Sequence, residues 1–165
     1  LDLVEAIPHA VLWLVDDNVA ATANLKAFAY QHGVAMDRIV FTPRANYDEY
    51  KQRLKIADVF LDTYPYNCGS TTNNVIQAGL PMVTMYGRTM VSRMGLSILG
   101  ALGLDQYCVN RLSDYKQKVI DISREPAEVK EEWRQRNRES YITPNELTKD
   151  MESTLTAWVK GSSSK

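Results

Sequence analysis

The stretch DTYPYNCGSTTNNVIQAGLPMVTMYG, residues 62–87, decides the fold of this chain. An apolar run at residues 57–61 precedes it and predicts a buried strand, because the run is too short for a stable helix. Good N-cap residues then open a helix that ends near Gly79, and a second apolar run follows at residues 82–85. Strand, glycine-containing loop, helix and strand within about thirty residues are typical of a βαβ unit.

The loop before this helix combines several groups that bind anions. Gly69, Ser70, Thr71 and Thr72 would bring free backbone N–H groups, three hydroxyls and the positive end of a helix to one place. Such a helix start is a ready site for a phosphate group. The alternative is an ordinary turn between strand and helix with a Ser/Thr cap, because cap residues begin most helices. The residues alone leave both interpretations open.

Strands and helices alternate along the rest of the chain. Apolar runs at residues 10–15 and 38–42 predict two more strands, and the first of them is expected to be buried on both faces. Helical patterns follow each strand. We therefore predict an α/β fold, a Rossmann-like parallel sheet with helices on both faces.

Length and composition indicate one globular domain. The chain has 165 residues, of which 45% are hydrophobic and 24% charged. We predict a single domain over residues 1–160. It includes the tail of an upstream helix at residues 1–9 and a C-terminal helix at 144–160, opened by Thr143 or Asn145, and a flexible tail follows at 161–165. Because the sequence opens on Leu1 rather than Met, we expect a piece of a longer protein.

Several function classes are disfavoured by what the sequence contains. The net charge of −1 gives no attraction to nucleic acid, and no run of 18 apolar residues predicts a membrane span. Cys68 and Cys108 lie far apart without CxxC or His pairing, so we expect no zinc, reduced thiols and a cytoplasmic location. Asp16 and Asp17 follow the first strand, where a dinucleotide-binding fold needs glycines, so a nicotinamide dehydrogenase is disfavoured. The sequence has no Walker lysine, which rules out a P-loop ATPase.

The carboxyl ends of parallel strands carry the ligand site in open α/β sheets. The loop and helix after the second strand bring Arg44, Tyr47, Tyr50 and Arg53 to that rim. In one interpretation a tyrosine stacks on a nucleobase and Arg53 contacts a phosphate or ribose. In the other, both tyrosines lie on the helix surface over apolar neighbours. The residues do not decide between the two.

Several short segments follow one another along the chain: AVLWL at 10–14, RIVFTP at 38–43, ADVFLDT at 57–63, STT at 70–72, and AGLPMVTM at 78–85 followed by Gly87, Ser92 and Arg93. In this order they resemble the O-linked N-acetylglucosamine transferase family. The resemblance spans residues 10–136. It implies the C-terminal nucleotide-binding half of a GT-B glycosyltransferase, with an N-terminal catalytic half and tetratricopeptide repeats expected upstream.

The resemblance also assigns site residues. Residues 69–72 fall where the family holds the donor diphosphate, and Arg44 and Ala45 match the loop whose backbone reads the base. Asn74 falls where animal members place an Asp on the ribose, and Gly69 where they have a His. The animal pattern Lys-Glu-Glu-His-x-x-Arg corresponds to residues 47–53, with Tyr47 for the Lys, Tyr50 for the stacking His, and Arg53 kept.

The implied function is inverting glycosyl transfer from a nucleotide sugar to a protein hydroxyl, without a metal or other cofactor. UDP-N-acetylglucosamine is the expected donor, and UDP-glucose and GDP-fucose, which relatives with similar domains use, stay open. No catalytic residue is assigned, since the acceptor side is expected outside this sequence. One alternative is a non-catalytic nucleotide-binding or protein-interaction module of the same fold. Another is a Rossmann-like domain for an unrelated small ligand.

Overall fold

The computed structural model describes residues 1–139 and 144–162, in which helices and parallel strands alternate. The first half contains α1 (Asp2–Ala6), β1 (Leu12–Asp16), α2 (Val19–Gln31), β2 (Ile39–Pro43), α3 (Tyr47–Ile56) and β3 (Phe60–Leu61). The second half contains α4 (Ser70–Gln77), β4 (Met82–Met85), α5 (Met94–Ala101), β5 (Cys108–Val109), α6 (Leu112–Arg124), α7 (Pro126–Glu139) and α8 (Pro144–Ser162). The predicted α/β fold class is confirmed.

The strands form two parallel sheets. In one sheet β1 pairs with β2, from Leu12 opposite Ile39 to Asp16 opposite Pro43. In the other the order is β3–β4–β5, with Phe60 opposite Met82 and Thr84 opposite Cys108. Among the described residues no strand joins the two, so the single sheet expected from the sequence is divided between β1 and β3.

The main core surrounds the three-stranded sheet. Its fully buried side chains come from β4, from helices α4, α5, α6 and α7, and from the connections that follow α4 and α5: Val75, Leu80, Met82, Val83, Leu99, Leu104, Val119 and Trp133. Trp133 of α7 packs edge-on against Tyr107, with ring centroids 5.2 Å apart. Because β4 is the middle strand and is covered on both faces, its near-continuous apolar sequence is the one expected for a parallel interior.

The prediction that the first strand is buried on both faces is wrong. Val11 and Val15 are 53% and 55% exposed, and Trp13 is 37% exposed, although its indole N–H donates to the Thr42 hydroxyl at 2.8 Å. These three side chains lie on one face of β1, and Leu12 and Leu14 on the other are partly buried. Among the described residues, β1 belongs to a two-stranded sheet and has a strand neighbour on one edge only.

The short helix α1 and the residues after it bond to both halves of the chain. The Arg38 guanidinium, just before β2, donates to the carbonyls of Val4, Ile7 (2.6 Å) and Ala10 (3.0 Å). On its other side α1 forms an ion pair between Asp2 and Lys116 of α6. Helix α6 packs on β4, so α1 connects the residue that precedes β2 with a helix that covers the other sheet.

The C-terminal helix α8 extends to Ser162, so Gly161 belongs to the helix rather than to the predicted tail. Residues 163–165 and the predicted cap Thr143 lie outside the described residues. The helix exposes Met151, Leu155, Trp158 and Val159. Within the described part of the chain, no helix has both the length and the apolar character to cross a membrane.

Candidate functional site

Helix α4 begins with donors that have no partner in the part of the chain that the structure describes. Gly69 occupies the N-cap position, and the helix starts at Ser70. Neither the hydroxyls nor the backbone N–H groups of Ser70 and Thr71 have an acceptor among the described residues. The first N–H groups of a helix lack intrahelical partners, and the macrodipole adds positive charge there. The start of α4 therefore presents a concentrated set of donors to an anion.

Thr72 differs from the two residues before it. Its side chain is fully buried, its hydroxyl donates to the Cys68 carbonyl at 2.8 Å, and its N–H donates to the Gly69 carbonyl at 3.0 Å. The expectation that three hydroxyls meet at one place is thus wrong for Thr72, because packing turns this side chain inward. It fixes the loop that positions Ser70 and Thr71. Direct donor binding by the four residues 69–72 stays a prediction.

A buried aspartate that the sequence reasoning did not assign shapes this loop. Asp62 is 5% exposed, and its carboxylate accepts from the N–H groups of Thr63 (2.9 Å) and Cys68 (2.8 Å) and from the Thr84 hydroxyl (2.6 Å). The Tyr115 hydroxyl donates to the Asp62 carbonyl at 3.0 Å. The available signal was an Asp that ends an apolar strand and directly precedes a long loop.

Asn67 is the second buried polar residue of the loop. Its side-chain amide donates to the carbonyls of Thr63 (2.8 Å) and Met85 (3.1 Å), and its backbone N–H donates to Val91 (2.9 Å). These bonds join the loop after β3 to the loop after β4. Together with the Asp62 carboxylate, they hold the α4 start in place before any ligand arrives.

Helix α3 faces α4 across the rim, and one hydrogen bond joins two predicted site residues. The Tyr47 hydroxyl donates to Asn74 Oδ1 at 3.0 Å. Asn74 lies one turn into α4, close to the free donors of Ser70 and Thr71. The Lys51 ammonium lies 4.4 Å from the centroid of the Tyr47 ring. The structure thus brings Tyr47 and Asn74 together at the mouth of the site.

Tyr50 is partly buried and packs against the main core, one helical turn from Tyr47. Burial, followed by the charges of Cys68 and Tyr47, raises the pKa of the Tyr50 phenol. Burial, followed by the Asp62 carboxylate, raises the pKa of the Cys68 thiol to about 11. Both side chains are therefore neutral at physiological pH. Tyr50 as a stacking platform stays a prediction.

Two arginines of the predicted site have partners within the chain. Arg44, which is exposed, forms a bidentate ion pair with Asp17, so the loops after β1 and β2 are joined. That bond to Arg44 holds the pKa of the Asp17 carboxyl below its usual value. Arg53 donates to the Pro43 carbonyl at 2.7 Å and to Glu49 at 2.5 Å. Arg53 thereby orders the loop of Arg44 and Ala45, whose base-reading role stays a prediction.

The chain is similar to known proteins both in sequence and in fold. The model of Glycosyl transferase family 41 matches residues 1–151. The chain belongs to this family. The fold agrees with that of a solved structure, Thermobaculum terrenum O-GlcNAc transferase mutant K341M, with a TM-score of 0.85 at 23% identity over 93% of this chain. The expected GT-B type of fold is therefore confirmed for this family 41 chain.

Curated relatives support the same family. The chain is 32% identical over 123 residues to the probable UDP-N-acetylglucosamine–peptide N-acetylglucosaminyltransferase SEC of Arabidopsis thaliana. It is 29% identical over 122 residues to the UDP-N-acetylglucosamine–peptide N-acetylglucosaminyltransferase of Caenorhabditis elegans. Each alignment covers 74% of this family 41 chain. The aligned part is 13% and 11% of the length of these relatives, and 31% of the solved chain.

Proposed function

We propose that this chain binds the nucleotide part of a sugar donor in a glycosyltransferase that modifies protein hydroxyls, with UDP-N-acetylglucosamine as the donor. One observation carries the proposal: the hydroxyl and N–H donors of Ser70 and Thr71 at the start of α4 have no acceptor within residues 1–139 and 144–162. Membership of Glycosyl transferase family 41 and the names of the two curated relatives support the same activity.

The chemistry assigned to this chain is stabilisation of the leaving group. In an inverting transfer the acceptor hydroxyl attacks the anomeric carbon from the face opposite the diphosphate, and the bond to the diphosphate breaks. Negative charge then grows on the phosphate oxygen that leaves. Ser70 and Thr71 donate hydrogen bonds to that diphosphate, and the α4 dipole points at the same charge. The donors are held in place in advance, so little reorganisation opposes the reaction.

The nucleoside is assigned to the rim between α3 and α4. Because Asn74 Oδ1 accepts from Tyr47, the Asn74 amide nitrogen remains to donate to a ribose hydroxyl. Tyr50 offers part of its ring to the base, and the backbone of Arg44 and Ala45 reads the edge of the base. The Arg53 bond to the Pro43 carbonyl keeps this loop in one conformation.

Calorimetry tests the proposal on the full-length natural protein and on this chain. Titrations with UDP, UDP-N-acetylglucosamine, UDP-glucose and GDP-fucose decide the donor, and each is repeated with EDTA and with Mg²⁺. We expect tightest binding of the UDP ligands, with affinity unchanged by EDTA. No binding of any nucleotide by the full-length protein would refute the proposal. Binding without transfer of the sugar by the full-length protein would identify a non-catalytic module instead.

A further inference from the structure

The loops after β4 and β5 carry positive charge without negative charge beside it in the sequence. Residues 86–97 follow β4 and residues 110–113 follow β5, and the two segments contain three arginines and no Asp or Glu: Arg88, Arg93 and Arg111. All three side chains are exposed. Within residues 1–139 and 144–162, none of the three forms an ion pair. A chain with a net charge of −1 thus has a local excess of cations.

A backbone hydrogen bond between the two loops brings Arg88 close to Arg111. The Tyr86 N–H donates to the Val109 carbonyl at 2.8 Å. Each arginine lies two residues beyond a member of this bonded pair. Because β4 and β5 are parallel, both loops also leave the sheet at the same edge, which is the edge that carries ligand sites in open α/β folds.

Arg93 lies close both to Arg88 and to the start of α4. Its guanidinium donates to the carbonyl of Gly87, the residue directly before Arg88, at 3.3 Å. The residue after it, Met94, contacts the loop that opens α4, since a side chain on Gly69 would lie 2.6 Å from the Met94 methyl carbon. The basic loops therefore border the candidate donor site.

The order of the elements indicates which part of the reaction this surface faces. Under the proposed function, the nucleoside lies against α3 and α4, and the diphosphate lies at the start of α4. Helix α3 leads into β3, and the sheet continues from β3 to β4 and β5. The sugar follows the diphosphate along the donor, and the acceptor follows the sugar. The loops after β4 and β5 thus lie on the acceptor side of the diphosphate, away from the nucleoside.

The arginines on the nucleoside side differ because they already have carboxylate partners. Arg44 is paired with Asp17, and Arg53 is paired with Glu49. The arginines after β4 and β5 have no such partner among the described residues, so their charge is available to a molecule that approaches this edge.

We propose that Arg88, Arg93 and Arg111, named here the basic rim, bind acidic side chains of the acceptor polypeptide close to the hydroxyl that is modified. The proposal rests on the proposed function. A guanidinium matches a carboxylate because it can donate two parallel N–H groups to it. Exposed ion pairs are individually weak, so the basic rim selects among acceptors and speeds their association more than it tightens binding.

Two synthetic peptides test the basic rim on the full-length natural protein. One has a central serine with glutamates on both sides, and the other has glutamines at the same positions. Peptide binding is measured by fluorescence anisotropy without nucleotide, and transfer from UDP-N-acetylglucosamine is measured as kcat/KM. Both should favour the glutamate peptide by about 3–25-fold, the range expected for one or two exposed ion pairs.

Charge-neutralising variants locate the preference. Arg88→Gln combined with Arg111→Gln should remove most of the preference for glutamate and leave UDP affinity within about twofold, because neither side chain belongs to the donor site. The matched control combines Arg124→Gln with Arg136→Gln. Arg124 is in the last turn of α6, and Arg136 lies 4.0 Å from the side-chain position of Gly103, before β5. This control removes two positive charges elsewhere and should keep the preference.

Equal affinity for the two peptides in the unmodified protein overturns the proposal. An equal loss of preference in the control variant also overturns it, because net charge would then be the cause. Weaker UDP binding in the Arg88 and Arg111 variant, with the peptide preference kept, assigns these arginines to the donor and not to the acceptor. Tighter binding of a single-stranded oligonucleotide than of the glutamate peptide at the same arginines assigns the basic rim to nucleic acid and overturns the proposal.

Two further measurements decide if the double variant does not fold. Each single substitution should lower the preference, and a preference unchanged in both contradicts the proposal. In the unmodified protein, raising NaCl from about 50 to about 500 mM should reduce the preference at least about threefold, since exposed charges are screened by salt. A salt-independent preference overturns the proposal. Because peptide binding is measured without nucleotide, failure here is distinct from failure to bind UDP.

Discussion

Valine in place of Thr71 removes one hydroxyl donor from the start of α4 and keeps the size and branching of the side chain. A hydrogen bond from this hydroxyl to a diphosphate oxygen is charge-assisted and contributes about 1.5–3 kcal/mol to binding. UDP affinity should therefore fall by about 10–150-fold, since about 1.4 kcal/mol corresponds to a factor of ten. The melting temperature should hardly change, because the hydroxyl has no partner among the described residues.

The adjacent threonine provides a matched control with the opposite expectation. Thr72→Val deletes the buried hydrogen bond to the Cys68 carbonyl. Leaving a buried acceptor unpaired costs about 1–3 kcal/mol of folding free energy. For a domain of this size that lowers the melting temperature by about 2–12 °C. UDP affinity among folded molecules should stay within about twofold of the original, because the bond involves no ligand.

The assay pairs calorimetric titration of UDP with thermal unfolding, both on the full-length protein carrying each single substitution. We expect opposite results for the two variants. Thr71→Val should lose UDP affinity and keep its melting temperature, whereas Thr72→Val should lose melting temperature and keep its UDP affinity. Wild-type affinity in Thr71→Val would show that this hydroxyl does not bind the diphosphate. A loss of affinity in Thr72→Val at unchanged melting temperature would refute the inward orientation of its hydroxyl.

Three further predictions use other residues of the site and its support. Tyr47→Phe deletes the bond to Asn74 and should weaken UDP about 2–10-fold in calorimetry while leaving the melting temperature unchanged; equal affinity would remove this pair from the ribose site. Gly79→Ala places a side chain at φ +65° and against Arg134, so denaturant unfolding should show a loss of about 1–2 kcal/mol, and no loss would contradict the positive φ. Cys68, with its pKa raised to about 11 from 9.0, should react with iodoacetamide at pH 8.5 roughly 80-fold more slowly than a free thiol. Since this thiol is protonated more firmly in the folded state, its contribution to stability is complete below pH 9 and is lost as the pH rises toward 11; rapid labelling of folded protein at pH 8.5 would contradict the burial.

Local patterns allowed much of the fold to be predicted. The run at residues 82–85 coincides with β4, and the helix before it ends in a C-cap where Gly79 N–H donates to Ile76 and Leu80 N–H to Val75. Strand β4 lies in the middle of its sheet, so its apolar sequence and its burial agree. The same pattern at residues 10–15 misled, because burial of β1 depends on neighbours that its own sequence does not contain. An apolar pattern indicates that a strand has side chains suited to burial. Whether those side chains are buried depends on the elements that pack against the strand.

The sequence predicts the hydrogen-bond donors of the candidate site but not the residues that hold those donors in position. Ser70 and Thr71 stand out in the sequence because a hydroxyl-rich turn before an apolar helix has a known local geometry. The inward orientation of Thr72 and the bonds from Thr84 and Tyr115 to Asp62 depend on residues that are far apart in sequence. A pattern within one segment contains no information about such partners.

Asp62 joins the core of this chain to the candidate site through hydrogen bonds to both. Its carboxylate accepts from Thr84 in the middle strand of the core and from Cys68 in the loop that opens α4. A side chain at Gly95 would lie 2.3 Å from the Thr84 hydroxyl and 2.9 Å from the same carboxylate, so α5 closes over this contact. The positions of the Ser70 and Thr71 donors are thus set by packing at β3 and β4 rather than by the ligand. Preorganised donors stabilise developing charge without first having to be ordered, which is the property a leaving diphosphate requires.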